Sequence, residues 1–123
     1  MDAHYLAFFE CFNCQLYFEA HEVLEHIWLP QRNGANGLFY KGLIQLAGAF
    51  VHVQKDRLGP ANALFKLAAA NLEKYAPTHE RLDLRNVLDI IARYRRTLES
   101  EGRIDLQSSA PRLGLESIGA VLR

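Results

Sequence analysis

Apolar residues recur at helical spacing along nearly the whole of this sequence, and no stretch alternates cleanly at period two. A helix with one apolar stripe can bury it only against a neighbouring element, so a chain patterned this way must stack helix on helix. The expectation is an all-α fold, a compact array of about five helices with an extended C-terminal tail. The first helix covers Ala3 to Phe12, with Leu6, Phe9 and Phe12 facing inward. The second runs from about Leu16 to Leu29, where Pro30 pushes the residue before it out of the helical region. Pro30 to Gly37 is dense in turn formers and reads as a loop.

The third helix, Leu38 to about Asp56, is apolar around most of its circumference and is expected at the centre. Its inward residues are Phe39, Tyr40, Leu43, Leu46, Ala47, Phe50 and Val53. Gly59-Pro60 opens the fourth helix, Ala61 to Tyr75, which is expected to bury Leu64, Leu67, Ala68, Leu72 and Tyr75. Asp83 is the expected N-cap of a fifth helix reaching about Glu99, with Leu84, Val87, Leu88, Ile91, Tyr94 and Leu98 on its buried face. After Gly102 the pattern loosens.

With 123 residues, the chain has room for one ordinary domain. Residues 1–102 are expected to form it, and residues 103–123 a tail docked on the domain or on a partner. Fourteen Lys and Arg balance fourteen Asp and Glu, so nucleic acid is not an expected partner. Arg93, Arg95 and Arg96 suit the negative C-terminal end of a helix dipole better than a phosphate backbone. The first residues carry no positively charged leader, and the longest apolar stretch falls well short of a membrane span. A soluble, cytoplasmic protein is expected. Cys11 and Cys14 have a Cys-x-x-Cys spacing but lack the βαβ context of a redox motif and the further ligands of a zinc site.

One constellation could carry chemistry. At 100° per residue, Ala20, Val23, Leu24 and Ile27 form the apolar face of the second helix, and Glu19 and His26 lie together on one flank. The remaining arc holds Phe18, His21, Glu22, Glu25 and Trp28, an aromatic and ionisable stripe resembling the wall of a cleft. On the third helix Lys41, Gln45, Gly48, His52 and Lys55 share one side, the only polar line there. If the two helices pack antiparallel, Gln45 and His52 face His21 and Glu25. The stripe comes close to His-Glu-x-x-His but ends in Glu25, and no nucleophile elbow or phosphate loop occurs.

The run Phe18-Glu-Ala-His21-Glu22-Val-Leu-Glu25-His-Ile-Trp28 resembles the signature of the family catalogued as domain of unknown function 309. Phe39-Tyr-Lys-Gly42-Leu-Ile-Gln45-Leu-Ala47, continuing to His52, resembles its second signature, and Gly59-Pro-Ala61 also fits. The resemblance covers roughly Tyr5 to Pro77. It implies a small all-helical bacterial or archaeal protein without an established biochemical role. It maps the family's recurring polar positions to His21, Glu22, Glu25, Trp28, Gly42, Gln45 and His52, leaving out His26, Cys11 and Cys14.

Two functions follow as expectations. In the first, the chain is a non-enzymatic module whose polar set fixes helix packing or receives a small ligand or partner. In the second, it is a metal-assisted hydrolase-like enzyme. His21, Glu25 and His52 would then hold a divalent metal, with one coordination position open, and Glu22 would be the general base. A second copy of the chain is the candidate partner, since small helical domains often bury leftover apolar surface in a homodimer.

Overall fold

A computed structural model describes residues 1–116. Five long helices dominate: α1 (Ala3–Asn13), α2 (Tyr17–Trp28), α3 (Gly37–Gln54), α4 (Leu58–Glu73) and α5 (Leu84–Glu101). A short 3₁₀ turn, Leu29–Gln31, follows α2, and a four-residue helix α6 (Leu106–Ser109) lies beyond α5. The predominantly all-α expectation holds. Among the described residues no helix is long and apolar enough to cross a membrane.

The helix ends follow local chemistry. Asp2 caps α1 by accepting from the His4 amide at 2.7 Å. Asp83 caps α5 by accepting from the amides of Arg85 and Asn86, as its position suggested. Gly102 ends α5 with φ +70°, the left-handed turn that glycine takes without cost. The fourth helix begins at Leu58 rather than Ala61. Pro60 then sits in the first turn, where no intrahelical partner is needed for its missing N–H.

Helix α3 is central, with eleven of its eighteen residues buried, every inward residue expected among them. Helix α1 buries Tyr5, Phe8, Phe9 and Phe12, while Leu6 is exposed, contrary to expectation. Helix α4 buries Ala61, Phe65, Ala68 and Leu72 and leaves Leu67 exposed, again contrary to expectation. Its buried face pairs two small residues with two large ones, and Leu72 presses close on α3. A methyl placed on Gly42 would come within 2.8 Å of Cγ and Cδ2 of the fully buried Leu72. Gly42→Ala is therefore expected to lose about 1 kcal/mol net in urea unfolding. Overpacking costs ~1–3 kcal/mol and improved helix propensity returns ~1 kcal/mol. A gain in stability would show that the two helices can separate freely.

One feature had no sequence signal. Thr78–His79 and Leu82–Asp83 form a two-stranded antiparallel hairpin between α4 and α5. Its turn residues Glu80 and Arg81 have φ of +47° and +62°, as a tight primed turn requires. The Tyr5 hydroxyl donates to the Glu80 carbonyl at 2.8 Å, and His79 Nε2 lies 2.7 Å from Asn36 Oδ1. The hairpin is thus tied to α1 and to the start of α3.

The segment after Gly102 is not extended throughout, since Asp105 caps α6 by accepting from the Gln107 amide at 3.0 Å. Leu106 and Leu113 are buried in the common core, and Leu115 bridges Leu82 of the hairpin. The Asn13 side chain holds the same segment from the other side. Its Nδ2 donates to the Leu113 carbonyl and its Oδ1 accepts from the Leu113 amide, both at 2.7 Å. The last part of the expected tail, residues 117–123, lies outside the described residues.

Candidate functional site

Helix α2 packs on α3 and buries Ala20, Leu24 and Ile27 of its expected apolar face, with Val23 only partly buried. That leaves the stripe beginning at Phe18 on the rim of the α2–α3 seam. Helix α4 closes the other side, so the polar line of α3 runs between two neighbours rather than facing one. The result is a cleft of about 280 Å³. Its polar lining is His21, Lys41, Gln45 and His52, and its apolar lining is Phe18, Ile44, Val51 and Leu64. Gly48 forms part of the floor, where an added methyl would meet only Leu64 Cδ1, at 3.3 Å.

Each polar group has a distinct set of partners. His21 Nε2 lies 3.0 Å from Glu25 Oε1, one turn along the same helix, and its ring stacks on Phe18 with centroids 6.2 Å apart. Both members of the His21–Glu25 pair are partly exposed, so this contact contributes at most about 1 kcal/mol. Gln45 Oε1 accepts from Asn71 Nδ2 of α4 at 2.8 Å. The Lys41 ammonium sits over the Trp28 ring, 4.6 Å from its centroid. The Nδ1 atoms of His21 and His52 are shielded from solvent and have no hydrogen-bond partner. His52 makes no side-chain hydrogen bond among the described residues.

Of the residues singled out from the sequence, His21, Gln45 and His52 share this cleft. Glu22 and Glu25 do not line it. They border a shallower depression on the outer side of α2, together with His21, His26 and Leu29. Trp28 lies outside both, half-buried on the core beneath Lys41. Gln45, expected to face His21 and Glu25, accepts instead from Asn71 of α4. Sequence reasoning passed over Asn71, near the C-terminal end of α4, and placed Leu64 in the core rather than on the cleft.

Among the described residues no three His, Cys, Asp or Glu side chains gather closely enough to hold a metal ion. The proposed metal set of His21, Glu25 and His52 is corrected accordingly. Glu25 points along α2 to the outer depression, while His52 opens onto the cleft. Glu22, the candidate general base, is exposed on the far side of α2 from His52. Both cysteines are free. Burial, then the carboxylate of Glu19, holds the Cys11 thiol above its usual range, the opposite of what a reactive thiolate needs.

The architecture defines a small helical array with a mixed-polarity cleft beside its central helix. A family model described as Domain of unknown function (DUF309) matches residues 5–64, and the chain resembles that family over this stretch. The matched span runs from α1 into the first half of α4, just under half the chain, and ends short of the Pro77 limit expected from the sequence. It contains both signature blocks and every polar lining residue of the cleft. No curated protein and no solved structure matches the chain.

Proposed function

We propose that this chain is a non-enzymatic binding module whose cleft between α2, α3 and α4 receives a small ligand. The observation that carries this reading is the pair of shielded, unpartnered imidazole nitrogens on opposite walls of one cleft. Buried polar atoms are nearly always paired in a folded protein, and an unpaired one calls for an explanation. A purely structural role accounts for the His21 Nε2–Glu25 and Gln45–Asn71 contacts but leaves His21 Nδ1 unpaired. It leaves His52 with nothing to do. A mostly apolar wall with a few convergent polar groups is the usual composition of a ligand site, and the volume lies near the lower end of the range for such sites.

The test is a fragment screen followed by nuclear magnetic resonance. Binding fragments are expected to shift the ring signals of His21 and His52 together. Gly48→Leu, which fills the floor, is expected to abolish those shifts while circular dichroism confirms the fold. Shifts confined to other residues, or unchanged in the filled variant, would remove the cleft from consideration. The smaller change Gly48→Ala is expected to raise stability by about 0.5–1 kcal/mol, since alanine favours the helix and Leu64 borders open space. Thermal unfolding reads this directly, and a loss would mean that Leu64 cannot yield.

A further inference from the structure

We infer that the ligand is a small amphipathic anion, a single carboxylate on an apolar body of about ten non-hydrogen atoms. This rests on the reading of the cleft as a ligand site. The argument begins with what the polar edge offers. No Asp or Glu lines the cleft, and Lys41 is its one permanently charged group. Among the described residues Lys41 has no carboxylate partner. The ammonium rests on the face of Trp28, which leaves its N–H groups unspent. The only side-chain oxygen in the lining is Gln45 Oε1, and Asn71 already donates to it, so Gln45 has its NH₂ group left to offer.

His52 adds an imidazole with no hydrogen bond of its own. Lys41 and Gln45 thus turn N–H donors to an edge that carries no carboxylate. A cationic ligand would find no counter-charge there, and a neutral alcohol would leave Lys41 unpaired. A carboxylate meets the ammonium and the amide together, and hydrogen bonds to charged groups are the stronger class. Glu25, on the same helix as His21, is engaged by His21 Nε2 at 3.0 Å and belongs to the outer depression.

The opposite side sets the rest of the ligand. Phe18, Ile44, Val51 and Leu64 offer only carbon, and Phe18 is 54% exposed, an apolar ring at the mouth with nothing covering it. A volume of 280 Å³ equals that of roughly nine waters at ~30 Å³ each, hence the limit on ligand size. One full cation suits a monovalent head. A phosphate would call for further cations or a cradle of backbone amides, and the lining has neither.

Calorimetric titration of the whole chain with octanoate, octylammonium, octanol and acetate tests this. Octanoate is expected to bind, octylammonium not to bind, and octanol and acetate to bind at least about tenfold more weakly. Lys41→Met is expected to weaken octanoate by about tenfold and leave octanol unchanged, while Lys41→Arg retains octanoate. Octanoate affinity should also fall with added salt, as an exposed charge pair does. Octanol or octylammonium binding as tightly as octanoate would overturn the anionic preference and leave the cleft standing as a ligand site. Binding by none of the four at millimolar concentration would overturn both. Equal loss of octanoate and octanol in a folded Lys41→Met would assign Lys41 to packing alone and overturn its pairing with the anion.

Discussion

Replacing Phe50 by alanine is expected to cost about 3–5 kcal/mol, the range for emptying a fully buried phenylalanine site. Phe50 is completely buried, and its ring meets one aromatic ring from each of the four other long helices. Phe12 of α1, Phe65 of α4 and Tyr94 of α5 lie edge-on with centroids 5.1–5.6 Å away. Tyr17 of α2 stacks on it at 5.0 Å. The truncation thus removes apolar burial, leaves a cavity, and breaks several aromatic pairs worth ~0.5–1.5 kcal/mol apiece. A domain of this size has only about 5–15 kcal/mol in all. Urea unfolding should show a midpoint shifted far downward, with the slope retained. A loss below about 1.5 kcal/mol would mean that the five helices do not share this centre.

The second large effect is expected from Asn13→Ala. One side chain satisfies both backbone groups of Leu113, so its removal strands a donor and an acceptor in a partly buried place. Unsatisfied buried groups cost ~1–3 kcal/mol each, and solvent reaches part of this site, so a total of about 2–3 kcal/mol is expected. Hydrogen exchange should accelerate at residues 104–115 well before it does in α3, since local opening precedes global unfolding. Asn13→Asp should recover part of the loss, because a carboxylate still accepts from the Leu113 amide but repels its carbonyl. If Asn13→Ala unfolds within about 0.5 kcal/mol of the parent, the buried Leu113 side chain alone holds the segment.

Much of the fold was legible in the sequence because helical spacing survives any particular arrangement of neighbours. The central place of α3, its inward residues, the Asp83 cap and the face of α2 were all readable from 3.6-residue periodicity. Where reading failed, size had stood in for position. Leu6 and Leu67 are large and apolar, yet the buried lines run through Tyr5 and Phe8 in α1 and through Ala61 and Ala68 in α4. Gly42 of α3 makes room for the large Leu72 of α4, and a count of apolar residues cannot register that fit. The two-residue strands are too short to show any period, and the bond that ties His79 to Asn36 spans 43 positions.

The candidate site was legible in half. Periodicity identified the right side of α2 and of α3, and His21, Gln45 and His52 do share a cleft. It could not foresee the third wall. Because α4 lies against the same polar line, Gln45 turns to Asn71, and His21 and Glu25 settle their pairing within α2. Glu22 stands about 100° round α2 from His21, and Glu25 and Trp28 lie one and two turns further along it, and none of the three lines the cleft.

The clasp between Asn13 and Leu113 also sets an order of events during synthesis. One hundred positions separate the two residues, and at about 5–20 residues per second the ribosome needs roughly 5–20 s to add the second after the first. Throughout that interval the Asn13 amide has only water to bond, while the rings that converge on Phe50 are already emerging. The aromatic centre can therefore collapse first. The segment around Leu113 then arrives as a late seal that locks α1 in place.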